Sequence, residues 1–207
     1  MLRHVYDMER ARIARLSMDD DSGEYAYPVF GCGSVDSQVI FVGEAPGAEE
    51  ARQATPFVGK AGRQFDELLA HAGLRRDDVF ITNAVKFRPV KRNQGRCSNR
   101  TPTRSEVKLG GVCLKAEIDA IRPRIVATLG NTPLAAVCDL ANMCPMKVGD
   151  AHGRAFEIVI GALRLELFPL YHPASVIYNR SLADVLKCDI IALGARLRQC
   201  SETEETT

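Results

Sequence analysis

Four short runs of apolar, β-branched residues alternate with stretches of helical periodicity, and this alternation limits the possible folds most strongly. The runs are QVIFVGE (38–44), DVFITNA (78–84), RIVATLG (124–130) and LELFPLYH (165–172), and each is typical of a buried strand. Strands that alternate with helices favour an α/β fold in which helices cover both faces of a largely parallel sheet.

Three segments are predicted to be helices. Apolar residues recur at i, i+3, i+4 and i+7 from Phe65 to Ala72, and Gly73 is well placed to end that helix. The second predicted helix ends at Pro123, directly before a strand. The second and third helices are SEVKLGGVCLKAEIDAIRP (105–123) and SLADVLKCDIIALGARLRQ (181–199).

The length allows one domain or two small ones, and one is expected because no linker divides the chain. A chain of 207 residues with 46% hydrophobic content can bury a sizeable core. We expect that domain to span residues 1–200, with a helical lead-in over 1–28 and a disordered acidic tail over 201–207. No apolar segment reaches about 18 residues and no signal peptide is evident, so we expect a cytoplasmic protein without a membrane partner.

The charge is unevenly distributed along the chain. The formal net charge is only +1, but residues 83–104 contain seven Lys or Arg and no Asp or Glu. Such a segment is either a solvated loop or a surface that contacts a phosphate backbone. The seven Cys include no CxxC pair, so neither a disulfide framework nor a zinc ribbon is indicated.

Polar residues follow three of the four predicted strands. Parallel sheets bind ligands at the carboxyl ends of their strands, and Glu44, Asn83, Gly130 and His172 occupy those ends. A carboxylate, an amide and an imidazole, with Phe57 as an aromatic face, would suit a flipped-out pyrimidine. Each residue alone also has a structural interpretation: Asn83 as a cap, His172 as a turn residue beside proline, and Phe57 as core.

The loop after the first strand is acidic. Glu44, Glu49 and Glu50 fall within FVGEAPGAEEARQATPFVGKAG (41–62) and would repel a phosphate. A carboxylate at this position could instead stabilise positive charge or polarise water.

Six motifs in order resemble the family 4 uracil-DNA glycosylases over roughly residues 29–195. They are GEAPGAEE (43–50), PFVGKAG (56–62), TNAVKFRP (82–89), NRTPT (99–103), ATLG (127–130) and YHPASV (171–176). Their joint occurrence is far more specific than any single one. The resemblance implies a three-layer α/β/α sandwich with a central four-stranded parallel sheet and a nucleotide pocket at the strand ends.

The resemblance also assigns roles to residues. It implies that Glu44 activates water or stabilises the sugar cation, that Glu50 lies close to the base, and that His172 hydrogen-bonds the uracil O2 atom. The implied catalytic set is Glu44, Glu50, Asn99 and His172, and the base-binding set is Phe57, Asn83, Gly43 and Ala45. The residues expected to contact the DNA backbone are Lys86, Arg88, Lys91, Arg92, Arg96, Arg100 and Ser175.

The implied function is hydrolysis of the N-glycosidic bond of uracil in DNA, which releases free uracil and leaves an abasic site. The expected partner is uracil-containing DNA, and the expected form is a monomer in a bacterial or archaeal cytosol, associated with the nucleoid. Two alternatives remain open. The chain could remove another deaminated or damaged base, such as hypoxanthine or xanthine, or it could be a non-catalytic DNA-binding paralogue.

The sequence departs from the family at the iron-sulfur ligands. Family members supply four Cys, whereas here the lead-in before Val29 has no Cys, and Phe87 and Gly110 occupy the two remaining positions. Because cluster ligation needs thiolates, we expect no cluster and no other cofactor or metal. A rearranged site using Cys97 and Cys113 would still need two more Cys, with only Cys32 near.

Three loop positions also depart from related patterns. Ala51 and Ala54 stand where the family tends to have Asp and Gly, and a position that requires positive φ would strain Ala54. Ala45 occupies the position of a catalytic Asp in other relatives, which leaves Glu44, Glu50 or Asn99 to perform the chemistry. A subgroup that captures uracil covalently has Gln there, so covalent capture is disfavoured.

Overall fold

A six-stranded sheet forms the centre of the computed structural model, which describes residues 2–16, 23–25, 27–94 and 96–204. The strand order is β2 (Cys32–Gly33), β4 (Phe80–Asn83), β3 (Val39–Gly43), β7 (Ile125–Leu129), β9 (Leu163–Leu170) and β8 (Phe156–Ile160). The four inner strands are parallel, and the two edge strands pair antiparallel to them. The four predicted strands are therefore the parallel centre, and the predicted count omitted both edges.

Helices cover both faces of this sheet because successive side chains of β3 point in opposite directions. Ile40 and Val42 pack with α4 (Arg104–Ile121) and α5 (Asn131–Leu140). Val39 and Phe41 pack with α3 (Lys60–Ala72) and α8 (Leu182–Glu204). The predicted three-layer α/β/α architecture is confirmed.

The helix ends follow local chemistry. Gly73 ends α3 with φ of 72°, as its position in the sequence indicated. Thr103 caps α4: its hydroxyl accepts from the Glu106 amide, and Glu106 Oε2 accepts from the Thr103 amide. The last helix continues to Glu204, past the predicted start of the tail at residue 201. Residues 205–207 lie outside the described residues.

The basic segment forms a hairpin. In a small antiparallel sheet, β5 (Arg88–Asn93) pairs with β6 (Arg96–Asn99) and with β1 (Gly23–Glu24). The lead-in contributes α1 (Leu2–Leu16), which packs against α4. The remaining helices of the described residues are short: α2 (Ala48–Gln53), α6 (Val148–Ala151), α7 (Ser175–Tyr178) and a 3-10 helix (Arg76–Asp78). Within the described ranges, no helix combines the length and apolar character needed to cross a membrane.

Candidate active site

A cavity of about 360 Å³ lies at the carboxyl ends of the parallel strands. It brings together six of the residues predicted from the sequence: Ala45, Glu50, Phe57, Asn83, Asn99 and His172. Gly43 and Glu44 adjoin this lining along the chain. A larger groove of about 990 Å³ lies at the opposite ends of the strands, around Arg124 and Glu166, and contains none of the predicted site residues.

Asn83 and Phe57 meet over Gly43. Asn83 ends β4, is almost fully buried and lies opposite Gly43 in the parallel register. A Cβ atom on Gly43 would lie 2.6 Å from Cε2 of Phe57 and would also overlap Oδ1 of Asn83. The absence of a side chain at residue 43 therefore allows an amide and an aromatic ring to approach each other at the cavity wall.

Phe57 has a strained backbone. Its φ of 54° lies in the left-handed region, which bulky residues rarely adopt. Gly62, in the first turn of α3, packs so closely that a Cβ atom there would overlap the Phe57 carbonyl. Phe57 is 6% exposed, and its ring packs on Phe65 and lies 26° from the plane of the His172 ring, with centroids 6.1 Å apart. Phe57 is thus both a core residue and part of the cavity wall.

His172 has a fixed tautomer. Its Nδ1 atom accepts a hydrogen bond from the Ala174 amide at 3.1 Å, and a backbone N–H can only donate. The proton of neutral His172 is therefore on Nε2. Burial lowers the pKa of His172 below its ordinary value of 6.5, which favours this neutral form. The hydroxyl of Ser175 donates to the His172 carbonyl at 2.6 Å and fixes the same turn.

Glu44 is oriented by a neighbouring helix. Its Oε2 atom accepts a hydrogen bond of 2.6 Å from the Thr132 hydroxyl, in the first turn of α5. Backbone bonds from Ala84 to the Gly43 carbonyl and from Val85 to the Glu44 carbonyl continue the pairing of β3 and β4 beyond the sheet. The carboxylate is consequently held at the strand end, beside the cavity.

Glu50 braces the acidic loop. Its Oε1 atom accepts from the Gly59 amide at 2.8 Å, and its Oε2 atom accepts from the Gly47 amide at 3.2 Å. Gly47 and Gly59 precede α2 and α3, where a negative charge is favourable. Both carboxylate oxygens of Glu50 therefore accept hydrogen bonds that hold the loop.

Asn99 is also held by a charged partner. The Arg88 Nε atom donates to Asn99 Oδ1 at 2.7 Å, while Arg88 Nη1 donates to both oxygens of Glu24. Since a guanidinium only donates, the Asn99 carbonyl must face Arg88 and its NH2 group is turned away. A Cβ atom on Gly47 would lie 3.4 Å from Asn99 Nδ2, which places that NH2 group near the acidic loop.

Three of the residues expected to contact the DNA backbone have acidic partners within the protein. Lys86 is completely buried and paired with Glu117, so the prediction that it contacts DNA is wrong. Arg88 is 10% exposed and paired with Glu24, and Arg100 is paired with Glu106 at 2.7 Å. The exposed basic side chains of the hairpin are Lys91, Arg92 and Arg96.

The number of charges in a segment does not show which side chains are buried. For this reason Lys86 was wrongly predicted to contact DNA. One feature of the sequence could have identified the missed partner, Glu117. It lies three residues after Leu114 and one before Ile118, on the face of α4 that packs on the sheet. A carboxylate on an apolar helix face needs a buried partner, and the nearby basic segment could have supplied it.

A family model described as the Uracil DNA glycosylase superfamily matches residues 30–192. The chain belongs to this superfamily. It is 35% identical over 164 residues to a Type-4 uracil-DNA glycosylase of Archaeoglobus fulgidus, covering 79% of each chain. Identity to a Type-4 uracil-DNA glycosylase of Thermotoga maritima is 39% over 153 residues, 74% of this chain and 73% of that one. A Type-5 uracil-DNA glycosylase of Pyrobaculum aerophilum is 30% identical over 201 residues, 86% and 82% of the two chains.

The residues at the expected cluster positions do not fit an iron-sulfur group. Phe87 is buried and packs on Tyr25, with ring centroids 4.6 Å apart. A Cβ atom on Gly110 would overlap the Ala84 carbonyl, so no cysteine side chain could be accommodated there without movement. Cys113 is fully buried, and burial raises its thiol pKa to about 12, which opposes thiolate formation. No cluster of three or more His, Cys, Asp or Glu suited to a metal occurs in the described part of the chain.

Proposed function

We propose that this chain is a monofunctional uracil-DNA glycosylase that hydrolyses the N-glycosidic bond of uracil in DNA, releasing free uracil and leaving an abasic site. The observation that carries the proposal is that Phe57, Asn83 and His172 line one cavity at the strand ends. Membership of the superfamily and the similarity to Type-4 enzymes give the substrate class.

Base recognition needs a flat apolar face and a polar edge. The Phe57 ring would stack on the flipped uracil, and the Asn83 amide would pair with its polar edge through one donor and one acceptor. Gly43 and Ala45 would leave room for the base. Asn83 is 3% exposed, so base binding would replace little water around its amide.

Bond cleavage separates charge, because the sugar becomes oxocarbenium-like while the base leaves as an anion. The Nε2 proton of His172 would donate to the uracil O2 atom, where that negative charge collects. Glu44, held by Thr132, would stabilise the sugar cation and assist the water that adds to C1′. We assign Glu50 to holding the loop, and Asn99 to assisting the reaction through its NH2 group.

DNA binding would place the phosphates on the hairpin. Lys91, Arg92 and Arg96 lie on strands β5 and β6. Asn99, the last residue of β6, lines the cavity. Neutralising phosphates there would supply affinity without sequence preference. Ser175, in the turn that holds His172, would contact the backbone near the flipped nucleotide.

We further propose that the enzyme has no resident iron-sulfur cluster and works as a monomer in the cytoplasm. The packing of Phe87 and the close approach at Gly110 support the first point. Purified protein is expected to contain no stoichiometric iron and to lack the visible absorbance of thiolate-bound iron. Iron that copurifies and is lost on Cys113→Ala would contradict it.

The base range can be tested with oligonucleotides that carry uracil, hypoxanthine or xanthine, as single strands and as duplexes. Treatment with alkali then cleaves the strand wherever a base has been removed. Scission at uracil alone is the expected result. Scission at only the purine lesions would instead establish a different glycosylase, and tight binding without scission would establish a non-catalytic paralogue.

A further inference from the structure

Lys86 and Glu117 form a buried ion pair next to the end of β4. The Lys86 Nζ atom lies 2.7 Å from Glu117 Oε2, and neither side chain is exposed to solvent. Removing two charges from water is costly, so a buried pair is weak evidence for stability and often marks a structural constraint. Neither residue lines the cavity, which raises the question of what this pair holds in place.

The ammonium group of Lys86 is fully used inside the protein. It carries three protons, and it donates to Glu117 Oε2, to the Thr82 hydroxyl and to the backbone carbonyl of Asn83, each at 2.7 Å. Two of the three bonds therefore fix the last two residues of β4. One of them is made to the residue whose side chain faces the cavity.

The carboxylate of Glu117 extends the network to other elements. Its Oε2 atom also accepts from the Thr82 hydroxyl at 2.8 Å. Its Oε1 atom accepts from the Gly31 amide at 3.0 Å and from the Tyr6 hydroxyl at 3.1 Å. Burial and the nearby Glu117 raise the pKa of Tyr6, so its hydroxyl stays protonated. Helices α1 and α4, the segment before β2, and strand β4 thus meet at one carboxylate.

We propose that Lys86 and Glu117 are positioning residues for Asn83, and that α1 contributes to base recognition through Tyr6. The inference rests on the base-recognition role proposed above for Asn83. Displacement of a reacting group by about 1 Å can slow a reaction on the order of 10²-fold. A rigid anchor on the Asn83 carbonyl prevents such displacement and gives the lead-in helix a function.

The test compares two double variants of the full chain. Lys86→Met with Glu117→Leu removes both buried charges and replaces them with apolar side chains, a change that buried pairs often tolerate. The matched control, Lys115→Met with Asp119→Leu, removes an exposed pair on the same helix α4. Melting curves establish that both variants are folded.

Two measurements separate positioning from general damage. The first is the single-turnover rate of uracil excision, and the second is affinity for the same DNA carrying an abasic-site analogue, which offers no base to Asn83. We expect the buried-pair variant to excise on the order of 10²-fold more slowly while its affinity for the analogue stays within about twofold of wild type. The control should match wild type in both measurements.

Excision at the wild-type rate by the buried-pair variant would overturn the proposal, as would parallel losses of excision and analogue affinity. If that variant does not fold, Tyr6→Phe tests the proposal, since it removes one hydroxyl and keeps the ring that stacks on Phe30. It should slow excision about two- to tenfold, and an unchanged rate would refute the inference. Absence of excision by wild type would instead refute the proposed function.

Discussion

The hydroxyl of Thr132 donates a 2.6 Å hydrogen bond to the carboxylate of Glu44, linking the first turn of α5 to the end of β3. Residues 44 and 132 are 88 positions apart in the sequence. The bond fixes the direction of a carboxylate that would otherwise rotate beside the cavity. Preorganised charge of this kind contributes to catalysis without reorganisation during the reaction.

Replacing Thr132 by Val should slow uracil excision about tenfold, because hydrogen bonds to charged groups are among the stronger ones. Glu44→Gln should cost more, on the order of 10²- to 10⁴-fold. In the Glu44→Gln background, Thr132→Val should add almost nothing, since it acts through the carboxylate. Single-turnover kinetics of the four proteins give the comparison, and additive losses would show that Thr132 acts elsewhere.

The pKa of His172 predicts how activity depends on pH. Burial lowers that pKa below 6.5, so the neutral, Nε2-protonated form persists from about pH 6.5 upward and the excision rate should be flat there with respect to His172. At lower pH, protonation of Nδ1 would break the bond from the Ala174 amide. A pH–rate profile that rises as His172 becomes charged would contradict the neutral-donor role.

The same shift has a consequence for stability. An unfolded His172 binds a proton near pH 6.5, while the folded one does so only at lower pH, so the unfolded state holds more protons in that interval. The free energy of unfolding should therefore fall as pH drops below about 6.5 and be insensitive to His172 above it. His172→Gln should remove this part of the dependence, as measured by denaturant unfolding between pH 5 and 8, a range set by His titration.

Ala54 was expected to be strained if its position requires a left-handed backbone, and its φ is indeed 50°. Ala54→Gly should raise the free energy of unfolding by about 0.5–1 kcal/mol, because glycine adopts this conformation without a Cβ penalty. Ala70→Gly is the matched control in the exposed face of α3 and should lower stability by about 1 kcal/mol. Equal destabilisation by both changes would show that the strain at Ala54 is small.

The exposed basic residues of the hairpin should govern the salt dependence of DNA binding. Lys91→Ala and Arg96→Ala are each expected to reduce the slope of log K against log salt by about 1. Arg164→Ala, at the opposite end of the sheet from the cavity, should leave the slope unchanged. Fluorescence titrations at several salt concentrations measure this, and equal slopes for all three variants would remove the hairpin from the interface.

The sequence predicted the part of the site that depends on sheet topology. Asn83 and His172 each follow a predicted strand, and the carboxyl ends of parallel strands lie at one edge, so their convergence required no side-chain detail. The segment that forms the hairpin of β5 and β6 was predicted only as a solvated loop or a surface that contacts a phosphate backbone. Its strands carry charged residues that alternate poorly with apolar ones, and Gln94 adopts a positive φ that the sequence does not signal.

The partners of individual side chains were not predicted from the local sequence pattern. Lys86 stands among six other basic residues, yet its side chain is completely buried, because Glu117 faces it from α4. Glu50 is predicted as catalytic from its place in a motif, and the contacts of its two oxygens with the Gly47 and Gly59 amides were not predicted. Both cases depend on which buried donor or acceptor lies opposite, and local pattern does not contain that information.

The most direct test of the proposed function measures free uracil and abasic sites together. An oligonucleotide with a single uracil is incubated with wild type and with Asn83→Ala, free base is quantified by mass spectrometry, and abasic sites are counted by alkaline cleavage. Wild type should release one uracil per abasic site without cleaving the strand itself, and Asn83→Ala should lose release while retaining DNA affinity. No uracil release by wild type, or undiminished release by Asn83→Ala, would contradict the account.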